Sequence, residues 1–281
     1  MSDNALIENM YLLISIFKTY NIIPLFIFDG KPPPEKKELL HMRKMEKKDA
    51  EQKYLNMKSI LENAKEDEKK EILYEMDQLK RQFIRIKESD VRCVKDLMDA
   101  YGVHHFDSNA EADAVCAHLV NNGTAHACMS DDMDMFLYGC PIVIRHLSLM
   151  NHTVVTYETQ KILSDLDMTD RHFREIMVLS GTDYNLYSNT SLTETINWFY
   201  EYKKYHIKQT NNNTKPLEFY VWLVKNTKYV GDFGKLLRTY QLFQIENNND
   251  LKRWDNLVIE PKTQDINKLK KIMNTEGFIF V

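Results

Sequence analysis

The stretch Ile22–Gly30, IIPLFIFDG, is a short continuous apolar run that stops at a carboxylate and a glycine. A run of this length, bounded by turn signals, fits a strand buried on both faces, the form strands take in a parallel sheet. Asp29 then stands at the carboxyl end of that strand, and Gly30–Pro34, GKPPP, turns the chain away. In an open α/β sheet ligands collect at that edge. The question is which other groups the chain delivers there.

Residues 5–18 carry apolar side chains at helical spacing, so a helix precedes the strand. Residues 35–100 are rich in Lys, Glu, Met, Gln and Leu and contain neither Gly nor Pro. That composition predicts two long exposed helices with a break near Asn63–Glu66. They are either a solvated helical hairpin or an arm over a substrate. YGVHHFDSN (101–109) reads as a short strand with a helix N-cap at Ser108 or Asn109, and AEADAVCAHLVNNG (110–123) as the helix, ending at Gly123. TAHACMS (124–130) reads as a further buried strand, while PIVIRHL (141–147) and HTVVTY (152–157) alternate like strands. TQKILSDL (159–166) and TDRHFREIMVLSG (169–181) are amphipathic helices. Strands alternating with helices predict an α/β fold with a mainly parallel sheet flanked by helices. From about residue 197 the chain is rich in Asn, Lys and Tyr and keeps helical segments at 218–226 and 231–243, around a polar loop at 209–216.

The chain of 281 residues is 43% apolar and 28% charged, the balance of a globular protein, and no apolar run reaches the length of a membrane span. The four cysteines form no CxxC pair and read as reduced thiols of the cytosol or nucleus. The apolar start lacks a basic n-region and a cleavage site, so it reads as a core helix rather than a signal peptide. A zinc site from Cys116, His118, His126 and Cys128 is disfavoured, because these spacings are not those of structural zinc sites.

The net charge of −4 conceals blocks. Residues 31–58 hold nine basic against five acidic side chains, residues 107–183 four against twelve, and residues 198–281 fourteen against nine. Such blocks are either solvated faces or an acidic centre within basic flanks, the layout of a metal-dependent enzyme acting on phosphates. The acidic centre is organised. Ser130–Gly139, SDDMDMFLYG, places Asp131, Asp132 and Asp134 against an apolar run at another strand end. Glu111 and Asp113 open the helix after a second strand, and Asp183 follows a helix that ends at a glycine turn. Asp29, Glu111, Asp113, Asp132, Asp134 and Asp183 are six carboxylates expected at one edge, and such a cluster is self-repelling without a cation. An all-oxygen donor set suits Mg²⁺ or Mn²⁺, and two such ions hydrolyse phosphodiesters.

Four motifs, FIFDGKPPPEKK, SNAEADAVCAHL, SDDMDMFLYG and VLSGTDYN, resemble in order and spacing those of the flap endonuclease/XPG family of structure-specific 5′ nucleases. The resemblance covers residues 1 to about 190. It implies a PIN-like nuclease core over 1–190, with a long charged helical arch inserted at about 33–100, and a divergent helical region over 191–281 that binds duplex. It implies a Mg²⁺- or Mn²⁺-dependent nuclease, with two ions, acting on branched or flapped DNA in replication, repair or recombination. The metal ligands carried over are Asp29, Glu111, Asp113, Asp132, Asp134 and Asp183. Asp113 stands where the family has Glu, and Asp131 falls outside the set as a solvated neighbour. The arch-base cations fall on Lys36 and Arg43, two helical turns apart and so on one face, where they hold the scissile phosphate. Nucleic-acid contacts are expected from Lys31, Lys36, Lys37 and Arg43, and from Lys203 and Lys204 in the later basic region.

The sequence also departs from the family pattern. The family's first strand, with its metal-ligand Asp, has no counterpart ahead of the opening helix. The region after Asp183, LYSNTSLTETINWFYEYKKY, lacks the family's glycines, and no sliding-clamp peptide is evident in EGFIFV at the end. The competing expectations are a binding or scaffold protein on the same fold and an RNA-directed 5′ exonuclease. Other replication or repair proteins are expected partners, a membrane is not, and the expected location is nucleus, cytoplasm or a viral replication compartment.

Overall fold

In a computed structural model, residues 5–185, 190–212, 214–275 and 277–278 are described. The terminal EGFIFV segment and residues 186–189, on which two of the expectations above bear, lie largely outside them. Helix α1 (Ala5–Thr19) buries Ile7, Ile14 and Phe17, the stripe its apolar spacing predicted. Strand β1 (Leu25–Phe28) follows Pro24 and ends one residue before Asp29. The charged segment forms α2 (Lys37–Asn63) and α3 (Glu66–Gln82), with the break at the expected place. The two helices lie against each other as a hairpin. Arg85 closes on Glu51 at 2.7 Å, and the rings of Tyr54 and Phe83 meet at 5.4 Å.

The last part of that segment behaves differently from the expectation. It forms a third helix, α4 (Glu88–Tyr101), whose Val94, Leu97, Met98 and Tyr101 are buried against Ile7 and Ile14 of α1. Its apolar residues recur at helical spacing, so this part joins the core while α2 and α3 stay largely exposed. Gly102, at φ 69°, ends it in the left-handed region that favours glycine.

Strand β2 (His104–Asp107) runs parallel to β1, with Phe28 opposite Asp107. Past the strand ends the two segments stay paired, Gly30 N donating to Ala110 O at 2.7 Å and Lys31 N to Asn109 O at 3.1 Å. A Cβ on Gly30 would lie 2.2 Å from Ser108 O, so the approach requires glycine. Helix α5 (Ala112–Asn121) begins later than predicted, with Glu111 as its N-cap residue, because Ser108 is spent on a turn in which its hydroxyl accepts from Ala110 N. The strand expected over 124–130 shrinks to β3 (Cys128–Met129), followed by the single helical turn α6 (Asp134–Leu137).

Strand β4 (Ile142–Ser148) pairs parallel with β3 and antiparallel with β5 (Thr153–Glu158), with a bulge between Arg145 and Ser148. Parallel pairs therefore predominate, but among the described residues the strands form two small sheets, β1–β2 and β3–β4–β5. Among the described residues each of β1 and β3 pairs on one edge only, and β1 is half-buried rather than buried on both faces. Helix α5 packs on both strands and spans the two sheets.

Helices α7 (Thr159–Asp165) and α8 (Asp170–Ser180) follow, then α9 (Leu192–Asn211), α10 (Phe219–Asn226), α11 (Phe233–Leu242) and α12 (Ile266–Thr275). The later helices share the main core. Phe199, Phe219, Leu223 and Phe243 belong to the same buried cluster as Val115, Met135, Val143 and Leu179. Helix α12 instead closes the smaller core of α1 and α4 through Leu269 and Met273. No helix of the described residues is long and apolar enough to cross a membrane.

Candidate active site

Four local structures present the six carboxylates. Asp29, just past β1, accepts the Ala112 N–H through Oδ1 at 2.8 Å, which fixes the strand end to the first turn of α5. That turn carries Glu111 and Asp113. In the third motif Ser130 Oγ accepts from Asp132 N at 3.1 Å, and Asp132 Oδ1 accepts from Asp134 N at 2.9 Å. The loop is thereby wound tightly enough to start α6, and Met135, Phe136 and Leu137 sink into the core behind it. Asp183 sits beyond α8 in a turn opened by Gly181 at φ 119°. Asn185 wraps that turn: its Oδ1 accepts from Thr182 N at 2.7 Å, and its amide donates to Val178 O at 2.7 Å.

The electrostatics show that the six acids share one field. Burial, then the charges of Asp132 and Asp29, push the Asp113 carboxyl up to about 6. Burial, then Asp132 and Asp183, push Asp134 up to about 7. Both are responses to negative charge crowded in a partly desolvated place. The protein supplies part of the compensation. Lys36, on the turn that leads into α2, puts Nζ 2.5 Å from Glu111 Oε1 and 3.8 Å from Asp183 Oδ2. Burial alone would lower its pKa, but Glu111, Asp183 and Asp113 outweigh burial and raise it. Arg43, two turns further on, donates to Asp183 Oδ2 at 3.2 Å.

An open groove of about 610 Å³ runs past Arg43, Asp132, Asp134, Gly181 and Asp183. A smaller cavity of about 260 Å³ beside it has one carboxylate, Asp232, already spent on capping α11. Asp131, Asp132, Asp134 and Asp183 make the larger groove the candidate site.

The donor set is all carboxylate oxygen, which fits a hard divalent ion. Among the described residues no group of three or more His, Cys, Asp or Glu side chains is arranged to hold a metal ion. Glu111 turns toward Lys36 and Asp183 toward Lys36 and Arg43 instead, while Asp29 and Asp132 accept backbone N–H groups. Of the disfavoured zinc set, His118 Nε2 lies 2.7 Å from Asp255 Oδ1, and Cys128 approaches Met135 and the Cys116 thiol.

The remaining basic residues divide. Lys31 and Lys37 are exposed beside the site, on the turn after β1 and at the start of α2. Lys203 and Lys204 lie on α9 and are engaged by carboxylates, Asp167 at 2.6 Å and Glu201 at 2.7 Å. Two residues beside the site escaped the sequence reading. Asp131 is no idle neighbour: its Oδ1 accepts from His146 N at 2.9 Å and its carbonyl accepts from Arg145 at 2.7 Å, tying the Asp132–Asp134 loop to the β4 bulge. Tyr184 donates its hydroxyl to Glu111 Oε2. Its position directly after Asp183 was the only available signal.

The chain is similar to known proteins. The XPG N-terminal domain profile matches residues 2–50, and the XPG I-region profile matches residues 102–183. Flap endonuclease 1 of Methanococcus aeolicus is 32% identical over 165 residues, covering 59% of this chain and 48% of its own length. Flap endonuclease 1 of Mycosarcoma maydis is 32% identical over 168 residues, covering 59% and 42%. The chain thus spans about half the length of the curated relatives it matches. Among solved structures, the catalytic core of Rad2 in complex with DNA substrate aligns with a TM-score of 0.66 at 20% identity, over 97% of this chain and 80% of that one. Flap endonuclease-1 from Methanococcus jannaschii aligns at 0.58 and 22% identity, over 96% and 75%. GEN1 in complex with product DNA and Mg²⁺ aligns at 0.57 and 16% identity, over 96% and 59%. The likenesses to solved structures show a shared fold, and the two matched XPG segments with the flap endonuclease 1 relatives make this chain similar to the flap endonuclease/XPG family.

Proposed function

We propose that this chain is a Mg²⁺- or Mn²⁺-dependent, structure-specific 5′ nuclease that hydrolyses phosphodiester bonds of branched or flapped DNA. The observation that carries the reading is an open groove lined by Arg43, Asp132, Asp134 and Asp183, to which Lys36 links Glu111 and whose charges Asp113 and Asp29 share. Asp29, Glu111, Asp113, Asp132, Asp134 and Asp183 would hold the ions. Bound there, a pair of such ions supplies an activated water and charge stabilisation for the leaving oxygen.

The chain's own part is positioning and charge. Lys36 and Arg43 neutralise Glu111 and Asp183 in the free protein and stand ready to take a phosphate. Arginine presents a planar fork suited to phosphate oxygens, and lysine a compact point charge. The tight Asp132–Asp134 turn and the Asn185-wrapped turn keep the acids from rotating away. The α2–α3 hairpin, with basic residues on its exposed faces, is placed to track a 5′ strand. The work of such an enzyme lies in replication, repair or recombination, in the nucleus, the cytoplasm or a viral replication compartment.

A labelled 5′-flap duplex with Mg²⁺ tests the reading. The chain cuts near the junction, and Asp132→Asn and Asp134→Asn bind the duplex without cutting it. Binding without cleavage at every enzyme level, with Mg²⁺ or Mn²⁺, would leave a scaffold protein on the same fold. Cleavage confined to an RNA flap would leave the 5′ exonuclease directed at RNA.

A further inference from the structure

Tyr184 touches both halves of the site. Its hydroxyl donates to Glu111 Oε2, while Lys36 takes the other oxygen of the same carboxylate at 2.5 Å. The Lys36 ammonium also stands 4.9 Å from the centroid of the Tyr184 ring. The ring itself has little freedom. Tyr184 is 4% exposed, its edge meets Phe243 at 5.5 Å between centroids, and its hydroxyl lies 3.4 Å from that of Tyr138. Phe243 is fully buried and Tyr138 nearly so. A hydroxyl held by packed rings is a rigid donor, and a carboxylate that accepts from it loses its rotational freedom.

We propose that Tyr184 is a positioning residue of the metal centre, holding one oxygen of Glu111 so that the other, which Lys36 takes in the free protein, is the one left for an ion. The proposal rests on the metal-nuclease reading. The ring gives Lys36 a second point of support at the cation–π distance, so the ammonium keeps a partner when it leaves Glu111. A phenylalanine would fill the same space, support Lys36 equally and leave Glu111 Oε2 without its donor. The hydroxyl, not the ring, is therefore the group that acts on Glu111.

The test is Mn²⁺ binding to the full chain without DNA, read by electron paramagnetic resonance, for the wild type, Tyr184→Phe, Glu111→Gln and the double variant. Tyr184→Phe weakens Mn²⁺ binding about 10-fold, the loss typical of removing a group that orients a metal ligand. In the Glu111→Gln background the same substitution costs nothing further, because the carboxylate it orients is gone. A general loosening of the fold would weaken binding equally in both backgrounds, and that result, or wild-type affinity in Tyr184→Phe, overturns the proposal alone. A wild type that takes up no Mn²⁺ overturns the metal-nuclease reading and this proposal with it.

Discussion

Lys36 is the residue on which the free site balances. Its side chain is 11% exposed and faces Glu111 and Asp183. Removing it leaves Glu111, 15% exposed, with crowded negative neighbours and only the Tyr184 hydroxyl as a donor. An unpaired, partly buried carboxylate costs about 1–3 kcal/mol. Lys36→Ala therefore melts earlier than wild type in EDTA, and added Mg²⁺ raises its melting temperature more than it raises that of wild type. The extra gain arises because a bound ion stabilises the folded state and also relieves the repulsion that lysine relieved before. Equal gains in the two proteins, measured by differential scanning fluorimetry, would remove the compensating role from Lys36.

Elements place the acids, and the decisive one is the turn that joins β1 to β2 and α5. Gly30 lets the two strand ends run on side by side, which brings Asp29 to the first turn of α5. Gly30→Ala would set a methyl against the Ser108 carbonyl, and backbone cannot rotate aside as a side chain can. The substitution destabilises by about 3 kcal/mol or more, read from urea unfolding, and separates Asp29 from Glu111 and Asp113. Unfolding midpoints within error of wild type would mean that the strand ends are free to part. The α2–α3 hairpin contrasts with that turn, since it is exposed along most of its length and held at its open end by the Arg85–Glu51 pair and by Tyr54 against Phe83.

Across the whole molecule, α8 joins the acid site to the C-terminal helices, and Glu175 lies at that junction. It is 3% exposed; Oε1 accepts from Arg171 at 3.1 Å, and Oε2 has no partner among the described residues. Burial, opposed by Arg171 and reinforced by Glu218, pushes its carboxyl up to about 7 from 4.5. A carboxyl raised in the folded state binds its proton more tightly folded than unfolded. Its contribution to stability is full below pH 4.5 and is lost as pH rises through about 7. The loss is on the order of 3 kcal/mol at most, since part of the burial exists in any compact unfolded chain. Glu175→Gln carries no such loss, so its stability exceeds that of wild type by an amount that grows between pH 5 and 8. A constant difference across that range, in urea titrations, would place the ionisation of Glu175 elsewhere.

Much of this protein was legible along the chain. The apolar run before Asp29, the tight SDDMD turn and the glycine before Thr182 and Asp183 are local patterns whose backbone geometry follows from neighbouring residues. They announced the α/β class and the positions of the acids along the chain, while the composition of residues 35–100 announced the helix break at 63–66. Residues that act at a distance were silent. Asp131 is solvated as expected, but its partners Arg145 and His146 arrive from a strand bulge that no local pattern announces. Helix α4 was read with the exposed arm because its partners, α1 and α12, come from opposite ends of the sequence. The split of the strands into two sheets, and the grip of Tyr184 on Glu111 across 73 positions, were likewise decided only by folding. Local propensity and spacing fix what a segment can be, whereas charge neutralisation, burial and a donor's aim depend on which surfaces meet, and only tertiary structure brings those surfaces together.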